Sequence, residues 1–193
     1  MKRGSTWKVP ILTVLLVLIG WTWVQAQIPE FSADQILRGP GGEQKAKIYF
    51  KNDRWRVEFT QPQMQKTMVQ IFRMDKKVAW MLIPEDKVYM ESPLPPEAAP
   101  WSEKIPGEVE RKSLGEESVA GHLCEKYQVK ISDGETAREL YLWISKKLKV
   151  PIKTQTADGQ YGTELRNLQA TPQPQGLFEL PPDFKKITPP LQS

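Results

Sequence analysis

The sequence predicts an all-β or nearly all-β domain built on one large antiparallel sheet, and three observations carry that prediction. Short runs rich in β-branched and aromatic residues recur along the chain, separated by turn signals such as Gly39-Pro40-Gly41-Gly42, Asp133-Gly134 and Asp158-Gly159. No window of a dozen residues keeps a helical period over its whole length. The connections are short enough to force neighbouring strands antiparallel, and a sheet of about nine to eleven strands has to curl or close.

The densest part of the pattern runs from Lys66 to Ser92 and reads as three strands, Lys66–Met74, Lys77–Ile83 and Lys87–Glu91. Turns at Asp75-Lys76 and Pro84-Glu85-Asp86 join them. Met68 and Phe72 point one way and Val69 and Ile71 the other, while Val78, Trp80 and Leu82 oppose Ala79, Met81 and Ile83. A strand with one wet face alternates apolar with polar. These strands are apolar on both faces, so both faces are expected to be covered.

Taken in order, the first 26 residues have the form of a secretory signal peptide. Lys2, Arg3 and Lys8 make a basic start, Val9–Trp23 an apolar run, and Val24-Gln25-Ala26 a peptidase site. The alternative is an uncleaved membrane anchor, although the run is shorter than the roughly 20 residues a spanning helix needs. No Cys follows for lipid attachment. The short segments suit an exported bacterial protein, so a periplasmic location is expected.

Residues 27–193 then form one domain of 167 residues, long enough for a real core. The formal charge of the whole chain is +4, but the leading segment holds three of the cations and no anion, so the remainder carries +1. A basic surface for nucleic acid is not supported. The cluster Lys146, Lys147 and Lys149 reads as a solvated turn. The single cysteine, Cys124, excludes an internal disulfide.

Phe31–Arg38 reads as a strand. Glu43–Phe50 and Arg54–Thr60 read as a hairpin, with Ala46, Ile48 and Phe50 sharing a face with Trp55, Val57 and Phe59, and Arg54, Arg56 and Glu58 turned to water. Pro93–Pro106 holds five prolines and Trp101, and is expected to be a covering loop. Strands resume at Glu108–Leu114, with a turn region over Gly115–Gly121. His122–Ser132, Thr136–Ile144, Val150–Thr156 and Tyr161–Ala170 follow. Leu177–Phe184 is an apolar tail expected to clip back onto the sheet, and 185–193 is expected to fray.

Residues that could carry chemistry are few. His122, the only histidine, stands two residues from Cys124, but two ligands do not make a zinc site. A Cys–His nucleophile pair lacks an orienting third group. No nucleophile elbow, zinc-protease helix, phosphate loop or calcium loop is present. No enzyme, metal or cofactor is expected. The apolar inventory is larger. Trp55, Trp80, Trp101 and Trp143 fall after the leading segment, as do five methionines, Met64, Met68, Met74, Met81 and Met90. Methionine suits adaptable surfaces, and a wide apolar sheet face without helices to cover it needs a ligand or a partner.

Several short runs occur in one order along the chain. They are Met74-Asp75-Lys76-Lys77-Val78-Ala79-Trp80-Met81-Leu82-Ile83-Pro84, Val119-Ala120-Gly121-His122-Leu123-Cys124-Glu125-Lys126-Tyr127, Leu142-Trp143-Ile144, Val150-Pro151-Ile152-Lys153 and Leu177-Phe178-Glu179-Leu180-Pro181. Together they resemble the LolA-like superfamily, the fold of the outer-membrane lipoprotein carrier. The resemblance implies a half-open antiparallel barrel whose concave side holds acyl chains. In the carrier, helices lid the barrel and a functional Arg follows the second strand region. Here Lys51 is the nearest match, and that site is not carried over.

The expected function is a periplasmic, non-enzymatic binding protein that holds a lipid or a lipid-modified protein, with peripheral contact to a membrane. The expected lining is Trp55, Val57, Phe59, Met68, Phe72, Trp80, Leu82, Met90 and Leu142. The alternatives are an envelope sensor or protein-interaction module using the sheet and the 93–106 loop, and a thiol-dependent enzyme at Cys124.

Overall fold

The structure, a computed structural model, describes residues 28–61, 65–94, 105, 107–132, 134 and 136–188. The expected signal peptide and most of the Pro93–Pro106 loop, Trp101 included, lie outside the described residues.

Among the described residues twelve strands form one sheet. They are β1 Phe31–Gly39, β2 Gly42–Lys51, β3 Arg54–Gln61, β4 Lys66–Arg73, β5 Val78–Ile83, β6 Val88–Pro93, β7 Glu108–Val119, β8 His122–Ser132, β9 Ala137–Ser145, β10 Pro151–Thr156, β11 Gly162–Gln169 and β12 Lys185–Lys186. Their order across the sheet is β12-β6-β5-β4-β3-β2-β1-β11-β10-β9-β8-β7, so the ends do not meet and the curved sheet stays open. Helix is confined, among the described residues, to the 3-10 turns Pro84–Asp86 and Gln175–Phe178. This is the curved, half-open sheet that the sequence predicts.

The architecture is two antiparallel meanders, β1–β6 and β7–β11, joined where β1 pairs with β11. One core cluster sits under the joint and unites Phe31, Ile48 and Phe50 with Leu165, Ile152 and Trp143. Most hairpins follow their turn residues. Pro40-Gly41 reverses the chain between Gly39 and Gly42, which pair directly. Ala120-Gly121 does the same between β7 and β8, with both residues at positive φ, 48° and 81°.

Three expectations needed correction. Gly115 does not end a strand. Strand β7 continues to Val119, because Gly115 at φ +97° sits at a bulge where the register shifts between Ser113 and Gly115. Residues 185–188 are not all frayed. Lys185 and Lys186 pair parallel with β6, and the Ile187 N–H donates to the Tyr89 carbonyl at 2.8 Å. Arg54 and Arg56 do not simply face water, since the C-terminal tail crosses their side of the sheet and accepts from Arg56 at the Leu177 carbonyl, 3.0 Å away.

Candidate functional site

Register decides which side chains share a face, because directly paired residues project the same way. Across β1 to β6 the pairings run Phe31–Phe50–Trp55–Phe72–Ala79–Ser92 in one row. The next row is Ala33–Ile48–Val57–Gln70–Met81–Met90. Gln35–Ala46–Phe59–Met68 follows, and Leu37–Gln44 comes last, beside the Pro40-Gly41 turn. The first row is an aromatic end wall, with Trp55 and Phe72 stacked at 4.3 Å and 13° and Phe31 and Phe50 at 5.5 Å. The small side chain of Ala46 leaves space in the middle.

A cavity of about 700 Å³ occupies this face, inside the range of about 300–1,000 Å³ usual for small-molecule sites. Its walls come from β1 to β4 and include Leu37, Ala46, Ile48, Phe50, Trp55, Val57, Phe59 and Phe72, with Gln35, Gln44 and Gln70 as polar members. Glu43 and Lys45 border it too, but they alternate with Gln44 along β2 and so project from the opposite face. There Glu43 accepts from Arg38 at 3.3 Å.

Of the nine residues expected to line a site, Trp55, Val57, Phe59 and Phe72 come together in this cavity. Met68 and Met90 are on the same face but outside the lining. Leu142 is also on that face, reached through Leu37–Thr163, Thr163–Thr154 and Thr154–Leu142, but it is buried well beyond the cavity. Trp80 and Leu82 are on the opposite face. The β4–β5 hairpin pairs Ile71 with Trp80 and Val69 with Leu82, because a loop of even length matches odd-numbered residues to even ones. The glutamines, Leu37 and the Ala46–Ile48–Phe50 wall were absent from the expected lining. The alternation of β2 already placed the last three beside Trp55, Val57 and Phe59.

The opposite face of β3 to β6 is dry because the tail covers it. Leu177, Phe178, Leu180 and Phe184 pack on Val69, Ile71, Trp80 and Leu82, and Phe178 is fully buried. Arg73 clasps the tail. Its guanidinium donates to both carboxylate oxygens of Asp75 at 2.7 and 2.6 Å, to Glu179 at 2.6 Å and to the Phe178 carbonyl at 3.1 Å. The Arg73 hydrogen bond holds the Asp75 carboxyl well below its ordinary value, at about 2. Lys51 ties Glu30 at 3.0 Å and the Gln173 carbonyl at 2.9 Å and so anchors the start of the tail.

Cys124 is fully buried, and burial pushes its thiol above the ordinary value. It donates to the His122 carbonyl at 3.4 Å. A buried thiol of raised pKa is a poor nucleophile. A disulfide reagent at pH 8 is therefore expected to label Cys124 only after unfolding; full labelling of the folded protein within minutes would contradict this burial. Among the described residues no group of three or more His, Cys, Asp or Glu is placed to hold a metal ion. No helix among them is long and apolar enough to cross a membrane.

Comparison with known proteins agrees with this geometry. The family described as domain of unknown function DUF4412 matches residues 36–150. No curated protein matches the chain by sequence. Among solved structures, an uncharacterized conserved protein from Thermus thermophilus is similar at 18% identity and a TM-score of 0.58, covering 83% of this chain and 90% of that one. MucB of Pseudomonas aeruginosa, solved in complex with MucA, is similar at 12% identity and a TM-score of 0.56, covering 84% of this chain and 59% of its own. At these identities the likeness is one of fold.

Proposed function

This chain belongs to the family described as domain of unknown function DUF4412, and from that premise we propose that it is a periplasmic, non-enzymatic binding protein that holds the acyl part of a lipid or of a lipid-modified protein. The observation that carries the proposal is the 700 Å³ cavity, walled by apolar side chains from four adjacent strands. Burial of apolar surface is worth about 25 cal/mol per Å², so an acyl chain is a natural occupant of such walls. The leading segment with its signal-peptide form supports export.

Native mass spectrometry of the protein purified from a periplasmic fraction, with solvent extraction of what it carries, tests this. A co-purifying acyl species near one per chain is expected. Val57→Trp fills the cavity and is expected to lower acyl occupancy at least tenfold with the far-ultraviolet spectrum unchanged. Trp80→Phe, on the opposite face, is expected to leave occupancy as it is. Equal loss in both variants would detach binding from the cavity.

A second reading is a protein-interaction module, and the likeness to MucB in complex with MucA supports it. Under that reading, deletion of residues 95–104 abolishes capture of an envelope partner by crosslinking and leaves acyl content unchanged.

A further inference from the structure

Resting on the acyl-binding reading above, we infer that the occupant is an uncharged glyceryl ester of a fatty acid, held by the amides of Gln35, Gln44 and Gln70, and not a free fatty acid or a phospholipid with an exposed anionic head. The inference starts from the charge of the walls. Register turns eleven lining side chains into the cavity, and among these described residues none is ionisable. The nearest charged groups on β2, Glu43 and Lys45, alternate to the other face, where Lys45 pairs with Ile36 and Glu43 with Arg38.

The polar groups that remain are three primary amides. Gln35 stands on β1 and Gln70 on β4, three strand spacings apart, and Gln44 is exposed on the row beside the Pro40-Gly41 turn. None of the three side chains is hydrogen-bonded to another described residue. Gln70 is the most informative, because its strand neighbours on the same face, Val57 and Met81, are apolar. Water reaches this amide while the cavity is open, and an occupant that displaces that water has to replace its hydrogen bonds. An amide offers both a donor and an acceptor. An ester carbonyl accepts and a glycerol hydroxyl donates, so a glyceryl ester matches both halves.

A carboxylate or phosphate offers only acceptors, and its charge would meet no counter-charge among the eleven side chains turned into the cavity. The aromatic row of Phe50, Trp55 and Phe72 then takes the far end of the chain.

The test compares 1-monooleoylglycerol, oleate at pH 8 and a synthetic diacylglyceryl peptide for binding to the purified protein, by tryptophan fluorescence and native mass spectrometry. Monooleoylglycerol is expected to bind at least tenfold more tightly than oleate. Gln35→Leu/Gln70→Leu is expected to shrink that ratio below threefold while oleate affinity is retained or raised. Gln44→Leu, at an exposed position that the fold tolerates, is expected to shrink it partly, and serves if the double variant does not fold. Oleate binding as tightly as monooleoylglycerol overturns the inference and leaves the acyl-binding reading standing. Tenfold tighter binding of the diacylglyceryl peptide supports the inference, with a lipid-modified protein as the source of the glyceryl ester. Failure of all three probes to bind overturns both.

Discussion

Phe178→Ala is expected to lower stability by about 3–5 kcal/mol, the usual cost of emptying a fully buried phenylalanine site. Phe178 is 0% exposed and sits among Val69, Ile71, Trp80 and Leu82, so no solvent can fill the void cheaply. The effect should spread further along the tail than a simple cavity would. Phe178 fixes the segment that leads to β12, whose Lys185 N–H donates to the Lys87 carbonyl at 2.9 Å and whose neighbour Ile187 donates to Tyr89. Urea unfolding reads the global loss, and amide exchange at residues 185 and 187 reads the release of the tail. A loss below about 1 kcal/mol, the scale of a single net hydrogen bond, with unchanged exchange would mean that the tail does not belong to the cooperative unit.

Arg73→Met is the second large effect, expected at about 2–4 kcal/mol because charge-assisted hydrogen bonds to two carboxylates and a carbonyl vanish together. The loss falls below that of a fully buried pair, since Asp75 and Glu179 are only partly covered and regain water once released. Arg73→Lys is expected to recover less than half, because an ammonium cannot fork across both Asp75 oxygens. The pH dependence has a definite sign. Asp75 titrates at about 2 in the folded protein against 3.8 when free. Its contribution is therefore complete above about pH 4 and is lost as pH falls through about 2. Asp75→Asn should flatten that acid limb of the stability curve, measured from the denaturation midpoint between pH 6 and 2.5. An unchanged limb would assign acid sensitivity to other carboxylates.

Much of the fold was legible because hairpins are local. Asp75-Lys76, Pro84-Glu85-Asp86 and Gly39-Pro40-Gly41-Gly42 stand where chain reversals occur, and the apolar face of β4 and β5 that carries Val69, Ile71, Trp80 and Leu82 is the one the tail covers. What was hidden is non-local. Nothing local to Gly115 distinguishes a bulge from a turn, since both use its positive φ. Arg54 and Arg56 look like a wet face until a segment more than a hundred residues later lies across them. The lining was half legible for the same reason. Alternation on β2 and β3 groups Trp55, Val57 and Phe59 on one face, as the register has them, whereas the face of Trp80 and Leu82 required the parity of the β4–β5 hairpin. The glutamines passed unnoticed because a polar residue in a strand ordinarily marks the solvent side.

The joint between the two meanders sets a timetable for folding. Within β1–β6 and within β7–β11 each strand pairs with its successor, so those contacts close over short loops. Ile36, by contrast, meets Glu164, and closing so long a stretch is slow compared with hairpin formation. The cavity walls belong wholly to β1–β4, on the early side of that seam. A chain emerging from its N-terminus thus completes the cavity wall before the strand that will flank it has been made, leaving an apolar surface open for the interval. That interval is when a chaperone has most to contribute to the yield of folded molecules.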